Sequence, residues 1–221
     1  MTKATDISHA VGDYLKAIWS LSSRGTVGTN AIADALGLSP ASVSNMLARL
    51  GEADLVEYER YRGARLSARG RREALRLIRR HRLIETFMIE TLGYTWDEVH
   101  EEAEAIEHAI SDRFAERLAG HLGHPSHDPH GDPIPDATGM LPATPNTPLS
   151  EVPVDTVLEV ARLLSQDSAT LEHLARIGIR PGTLVRVTGR EAAGERVIIS
   201  VQDETHTVRD DLARIIRGAV V

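Results

Sequence analysis

The chain has 221 residues, 42% hydrophobic and 26% charged, which bounds it to a globular protein of one to three domains. It contains no cysteine, which excludes disulfides, iron–sulfur clusters and thiolate zinc sites, and no apolar run near the roughly 18 residues of a membrane helix. The net charge of −7 conceals a partition: residues 1–82 carry 14 Lys/Arg against 8 Asp/Glu, residues 83–170 carry 3 against 17, and residues 171–221 carry 8 against 7.

That asymmetry is expected of a chain whose front meets phosphate and whose middle meets a cation. The first six residues lack an apolar signal core, so a cytoplasmic protein without membrane contact is expected.

Residues 9–21 place Ala10, Tyr14, Ala17, Ile18 and Leu21 at helical spacing. After the break at Arg24-Gly25, a short helix is predicted from an N-cap at Thr29 to a left-handed stop at Gly37. Ser39 then supplies an N-cap and Pro40 an N1 proline for a helix over 41–50. Two capped helices joined by a Gly-containing turn, with small Ala33 at the crossing and Val43 turned inward, make a helix-turn-helix. Its second helix would lie in a major groove. Ser39, Ala41 and Asn45, beside Pro40, are the candidates for base edges, and Ser42 and Ser44 for phosphates. Residues 55–60 and 64–67 alternate about Arg62-Gly63, a hairpin that would form a basic wing with Arg60, Arg62 and Arg65 toward phosphate.

A long helix is predicted over 69–92, with Leu75, Ile78 and Leu83 inward and His81 and Glu85 stacked at i and i+4. A second is predicted from Trp96 to about Leu118. On it His100, Glu104, Glu107 and His108 fall within one arc of roughly 100°, beside an apolar stripe of Val99, Ala103, Ile106 and Ile110. Carboxylates and imidazoles on one face repel or desolvate unless a divalent cation compensates them. From His121 to Pro153 eight prolines and histidines at 121, 124, 127 and 130 read as a linker. A short helix over 171–177 and strands over 183–188, 196–201 and 205–208 predict a small barrel.

The runs His81-Arg82-Leu83-Ile84-Glu85, Trp96 through His108, and Pro129-His130-Gly131-Asp132-Pro133-Ile134-Pro135 resemble the diphtheria toxin repressor/manganese transport regulator family. Leu174 through Gly182 is similar to the FeoA/SH3-like module that ends its long members. The resemblance implies a mainly α protein with a small β part. A winged helix-turn-helix (1–75) would lead to a helical metal-binding and dimerisation domain with linker (76–145), then an SH3-like barrel (150–221). It further implies a homodimeric repressor of double-stranded operator DNA.

The family's activating metal site falls on Asp13, Glu104, Glu107 and His108, and a second site on His81, Glu85 and His100. Asp128 and His130 match second-site ligands of some manganese-responsive members, and Gln166 and Asp167 are the nearest candidates from the third domain. Two metal sites per subunit are thus expected. Iron-responsive members carry Met and Cys at the positions of Asp13 and Glu104. The two carboxylates found here are harder ligands, which favours Mn(II), with Fe(II) the alternative. Short manganese regulators have Glu where this chain has Lys16, so their two-metal cluster does not transfer directly.

Two rivals come from other classes. A metal-dependent hydrolase would use similar ligands but lacks here an HExxH arrangement or substrate-anchoring motif. A regulator sensing an organic ligand needs a largely apolar pocket, and only 4% of the residues are aromatic. A non-enzymatic, metal-dependent repressor without a small organic substrate is the expectation.

Overall fold

The computed structural model describes residues 7–22, 25–96, 98–165, 167–191 and 195–221. The N-terminal part is α1 (His9–Leu21), α2 (Thr29–Leu36), α3 (Pro40–Glu52) and the hairpin β1 (Val56–Glu59) and β2 (Gly63–Leu66). Ser8 and Ser39 cap α1 and α3 through their hydroxyl oxygens. Thr29 does not cap α2; Gly28 holds the N-cap position with no side-chain bond, and Thr29 is already helical. Gly37 ends α2 at φ 65°, donating back to the carbonyls of Ala33 and Asp34. Tyr14, Leu15, Ile18, Ile32, Ala33, Val43, Leu47 and Leu50 bury the faces that hold these helices at their crossing.

The middle is built on α4 (Ala68–Phe87), capped by Ser67. The expected continuous helix to Leu92 does not keep its pitch: its last turn, Met88–Leu92, widens to π geometry and Gly93 closes it. The second long helix is two helices, α5 (Val99–Glu107) and α6 (Asp112–His121). Ser111 accepts from the Phe114 amide and starts α6 afresh, and Asp112 receives hydrogen bonds from Arg76 and Arg80 of α4. A local cap and two ion pairs to α4 thus override the periodicity that runs through the break. Leu83, Ile84, Met88, Val99, Ala103, Ala115 and Leu118 form the core between these helices.

The segment after α6 is not a free tether. Ile134 joins the helical core, Asp128 and His130 are buried, and Arg82 donates to the Pro133 carbonyl and to Asp132. On its other side the His130 carbonyl accepts from the Leu163 amide, and Asp132 pairs with Arg162 at 2.5 Å. Gly131 has φ 84°, and a Cβ there would overlap the Ala161 carbonyl oxygen, so the backbones meet at a position only glycine fills.

The C-terminal part is one antiparallel sheet of β3 (Thr147–Pro148), β4 (Val157–Leu163), β5 (Leu184–Arg190), β6 (Arg196–Val201), β7 (Glu204–Arg209) and β8 (Ile216–Val220), in the order β3-β8-β4-β5-β6-β7. Two helices, α7 (Ser168–Arg176) and α8 (Asp210–Ile215), accompany it. Leu158, Val160, Val185, Val187, Val197 and Ile199 bury alternate positions of its strands. The helix α8 runs into β8 with no turn residue between them, and neither these nor the two-residue β3 were expected. Among the described residues no helix is long and apolar enough to cross a membrane.

Candidate functional site

On α1, His9, Asp13, Lys16 and Ser20 recur at i, i+4, i+7 and i+11, one stripe along the helix. This stripe meets the end of α5. The Asp13 carboxylate lies 3.0 Å from His108 Nε2, and Glu107 Oε1 lies 3.2 Å from the same nitrogen. His9 stacks on the His108 ring at 4.5 Å. Gly12 permits the approach, since a Cβ there would stand 2.6 Å from His108 Cε1. Asp13, Glu107 and His108 each offer a ligand atom within 4.8 Å of the others.

Glu104 belongs to a different group. Lys16 Nζ is 2.5 Å from Glu104 and 2.6 Å from Glu107, so a lysine stands between two of the four expected activating ligands. Burial opposes the charge on Lys16, but the two carboxylates outweigh it and hold the ammonium above its ordinary value. Glu104 gathers instead with His81 and His100.

His81 links the groups. Its Nδ1 is 2.6 Å from Glu107, and its Nε2 is 2.9 Å from Glu85 and 3.1 Å from His100. Burial works against its charge, yet the Glu85 and Glu107 carboxylates raise it to about 9. The expected trio His81, Glu85 and His100 is therefore in contact, but Glu85 also converges with Asp128 and His130 as a third, fully buried group. Burial, with Glu85 and Asp132 nearby, pushes the Asp128 carboxyl up to about 8. Burial also lowers His130, whose Nε2 is enclosed and has no hydrogen-bond partner. A buried imidazole nitrogen with no partner, beside the close carboxyls of Glu85 and Asp128 with Arg82 3.6 Å from the latter, is a set that a divalent ion would complete. The donor set of carboxylates and imidazoles suits a hard or borderline ion.

Asp167 stands apart from this group: its carboxylate accepts from the Thr170 amide and caps α7. Gln166 lies outside the described residues. From the third domain Ser165 and Leu171 line a cavity of about 50 Å³ together with Glu85, His100, Asp128 and His130. Trp96, not singled out from sequence, spans the same junction, with its ring 5.1 Å from His130 and beneath the Arg180 guanidinium.

On α3, Pro40, Ala41, Ser42 and Asn45 are exposed while Val43, Leu47 and Leu50 face the core. The Ser39 hydroxyl is engaged as the cap, and Ser44 donates to the Pro40 carbonyl. In the hairpin Arg65 pairs with Glu57 and Arg62 with Glu59, whereas Arg60 lies over the Tyr61 ring. Lys16, His9 and Gly12 carry a weak sequence signal, the spacing on α1; their partners on α5 are about ninety residues away in the chain.

Residues 6–64 match the family described as iron dependent repressor, N-terminal DNA binding domain. Residues 67–136 match iron dependent repressor, metal binding and dimerisation domain, and residues 147–219 match the FeoA domain. The chain is 30% identical over 218 residues to the iron-dependent repressor IdeR of Mycobacterium leprae (strain TN), covering 92% of this chain and 94% of that protein. It is 36% identical over 107 residues to the HTH-type transcriptional regulator MntR of Oceanobacillus iheyensis (strain DSM 14371 / CIP 107618 / JCM 11309 / KCTC 3954 / HTE831), covering 48% and 72% respectively. Among solved structures, a manganese-dependent transcriptional repressor in complex with manganese superposes with a TM-score of 0.89 at 37% identity, covering 96% of this chain and all of that one. The chain belongs to the diphtheria toxin repressor/manganese transport regulator family, metal-dependent transcriptional repressors that bind DNA and are not enzymes.

Proposed function

We propose that the chain is a Mn(II)-responsive cytoplasmic repressor that binds palindromic operators of metal-uptake genes as a homodimer. The observation that carries the choice of metal is the α1–α5 site, where Asp13, Glu107 and His108 converge with no sulfur donor beside them among the described residues. Similarity to a repressor described as manganese-dependent supports it. Fe(II) is the second reading, favoured by relatives described as iron-dependent. In this reading Asp13, Glu107 and His108, joined by Glu104 once it leaves Lys16, hold the activating ion. Glu85, Asp128 and His130 hold a second one, with His81 and His100 between them.

The division into residues 1–75, 76–145 and 150–221 then has a working sense. Asp13 belongs to the reading head, and Glu107 and His108 to the helices that follow. Drawing these groups together fixes the angle at which each head leaves the dimer, and with it the spacing of two α3 helices along DNA. Pro40, Ala41, Ser42 and Asn45 would meet the groove.

The test is fluorescence anisotropy of labelled promoter DNA from metal-importer genes, titrated at fixed salt with Mn(II), anaerobic Fe(II) or chelator. Tight binding with Mn(II), weak with Fe(II) and none with chelator is expected. Equal activation by both metals would identify the metal switch and leave its physiological metal open, and specific binding that survives chelation would sink the switch.

A further inference from the structure

We infer that Trp96 and Arg180 position His130, so that the C-terminal domain tunes the enclosed metal centre without lending it a ligand. The inference rests on the reading of Glu85, Asp128 and His130 as a metal site. Among the described residues the C-terminal domain adds no carboxylate or imidazole to that group. Asp167, at the start of α7, is spent on its cap. What the domain does supply is a hold on Trp96. The indole packs on the core of the sheet, its ring centre lies 5.1 Å from that of His130, and the Arg180 guanidinium lies 5.0 Å from the same indole. The Trp96 backbone also hydrogen-bonds the His130 ring, while Nε2 is enclosed and has no partner. An imidazole held at one nitrogen is fixed in tautomer and direction, which leaves the other for an ion.

Arg180 sits on a fixed loop. It follows Ile179, which is fully buried, and its amide donates to the Thr183 hydroxyl, which donates in turn to the Gly178 carbonyl. Its side chain forms no ion pair among the described residues, so the contact on Trp96 is what its placement achieves. A cation over an indole, together with apolar packing, confines the ring to one orientation. His130 inherits that orientation, because the ring and the backbone of the same residue both touch it. The other links across this junction act on backbone or on Asp132: the His130 carbonyl accepts from the Leu163 amide, and Arg162 pairs with Asp132. The path through Trp96 instead ends on the ring of a candidate ligand.

The experiment uses the full chain with His108→Ala, which removes a ligand of the α1–α5 site, and reads Mn(II) at the enclosed centre by equilibrium dialysis. Trp96→Leu should weaken that binding about tenfold, the scale of a lost outer partner of a ligand histidine. Arg180→Leu should weaken it about threefold, the scale of an exposed cation–π contact. Arg180→Lys and Trp96→Phe keep a cation over a ring and should stay within about twofold of the parent. With Trp19→Phe added, Trp96 is the one remaining tryptophan and reports directly. In Arg180→Leu its quenching by Co(II) should move to about threefold higher metal, while the metal-free melting temperature stays within about 2 °C. Parental affinity in Trp96→Leu or in Arg180→Leu overturns the inference. So does a loss that Arg180→Lys fails to rescue and that follows a lowered metal-free melt, the mark of packing alone. Undiminished Mn(II) binding in His130→Ala would instead remove the metal reading beneath it, an outcome that the Trp96 and Arg180 variants do not produce.

Discussion

Lys16 holds Glu104 and Glu107 at 2.5 and 2.6 Å, so a fixed cation already sits on two of the carboxylates assigned to the activating site. An ammonium there repels an incoming divalent ion and competes for Glu104. Replacing Lys16 by Met should therefore lower the melting temperature of the metal-free protein and tighten Mn(II) binding by about tenfold, of the order of a partly screened charge pair. Equilibrium dialysis reads the second effect, and unchanged affinity would mean that the lysine does not compete. Protons add a second dependence. His81 is raised to about 9 and Asp128 to about 8, so each contributes stability that is complete below its ordinary value and lost as pH rises through the folded one. Lowered His130 and His127 oppose this only below their ordinary value, so with chelator present denaturant melts should show stability falling between about pH 7 and pH 9. Asp128 must be deprotonated to bind the ion, and an ion on Glu85 and Glu107 disfavours the proton on His81 between them, so Mn(II) loading should release protons and strengthen with pH over the same range, measurable by calorimetry in buffers of different ionisation heat. At this scale Glu104, Glu107 and His108 were legible, because helical periodicity is local. That Glu104 turns to Lys16 and His81 was not, because it depends on how α1 packs on α4 and α5.

The break between α5 and α6 decides where the ligands end. Glu107 is the last residue of α5, and His108 follows it out of the helix toward α1. Ser111 restarts the chain as α6, and Arg80 ties the junction by donating to the Glu107 carbonyl and to Asp112. Ser111→Ala should cost about 1 kcal/mol of stability, as a lost N-cap does. It should also weaken metal binding through His108; a melt shifted without any change in metal affinity would separate the cap from the site. The signal for this break, Ser-Asp before an apolar run, stands in the sequence but was outweighed by the stripe that continues through it. The reading helices were legible for the opposite reason: Gly37, Ser39 and Pro40 punctuate exactly where the apolar pattern stops, so cap and period agree. α8 and β8 were hidden because Ile215 ends one and Ile216 begins the other with no turn between.

Across the whole molecule, the segment around Gly131 joins the helical middle to the C-terminal sheet. Its prolines and histidines read as a tether, and composition alone could not reveal that Arg82 on one side and Arg162 on the other both grip Asp132. Gly131→Ala forces the backbone off Ala161 and should undock the sheet, seen as protease cleavage between residues 136 and 147 at a rate at least about tenfold above the parent. Cleavage at the parental rate would show the junction to be held elsewhere. This roof also sets a difference in tempo. Glu85, Asp128 and His130 are 3%, 7% and 6% exposed beneath it, while at the other centre the Glu107 and His108 side chains are buried but the Asp13 side chain, with Glu104 as the neighbour that would join it, opens to solvent at 42% and 39%. An ion at the open centre leaves as fast as its bonds break; one under the roof waits for the sheet to lift. Mixing loaded protein with excess chelator should give two phases, and Gly131→Ala should abolish the slow one. With both outcomes, the fast centre would follow the metal concentration of the moment, while the covered one would retain a record of its recent past.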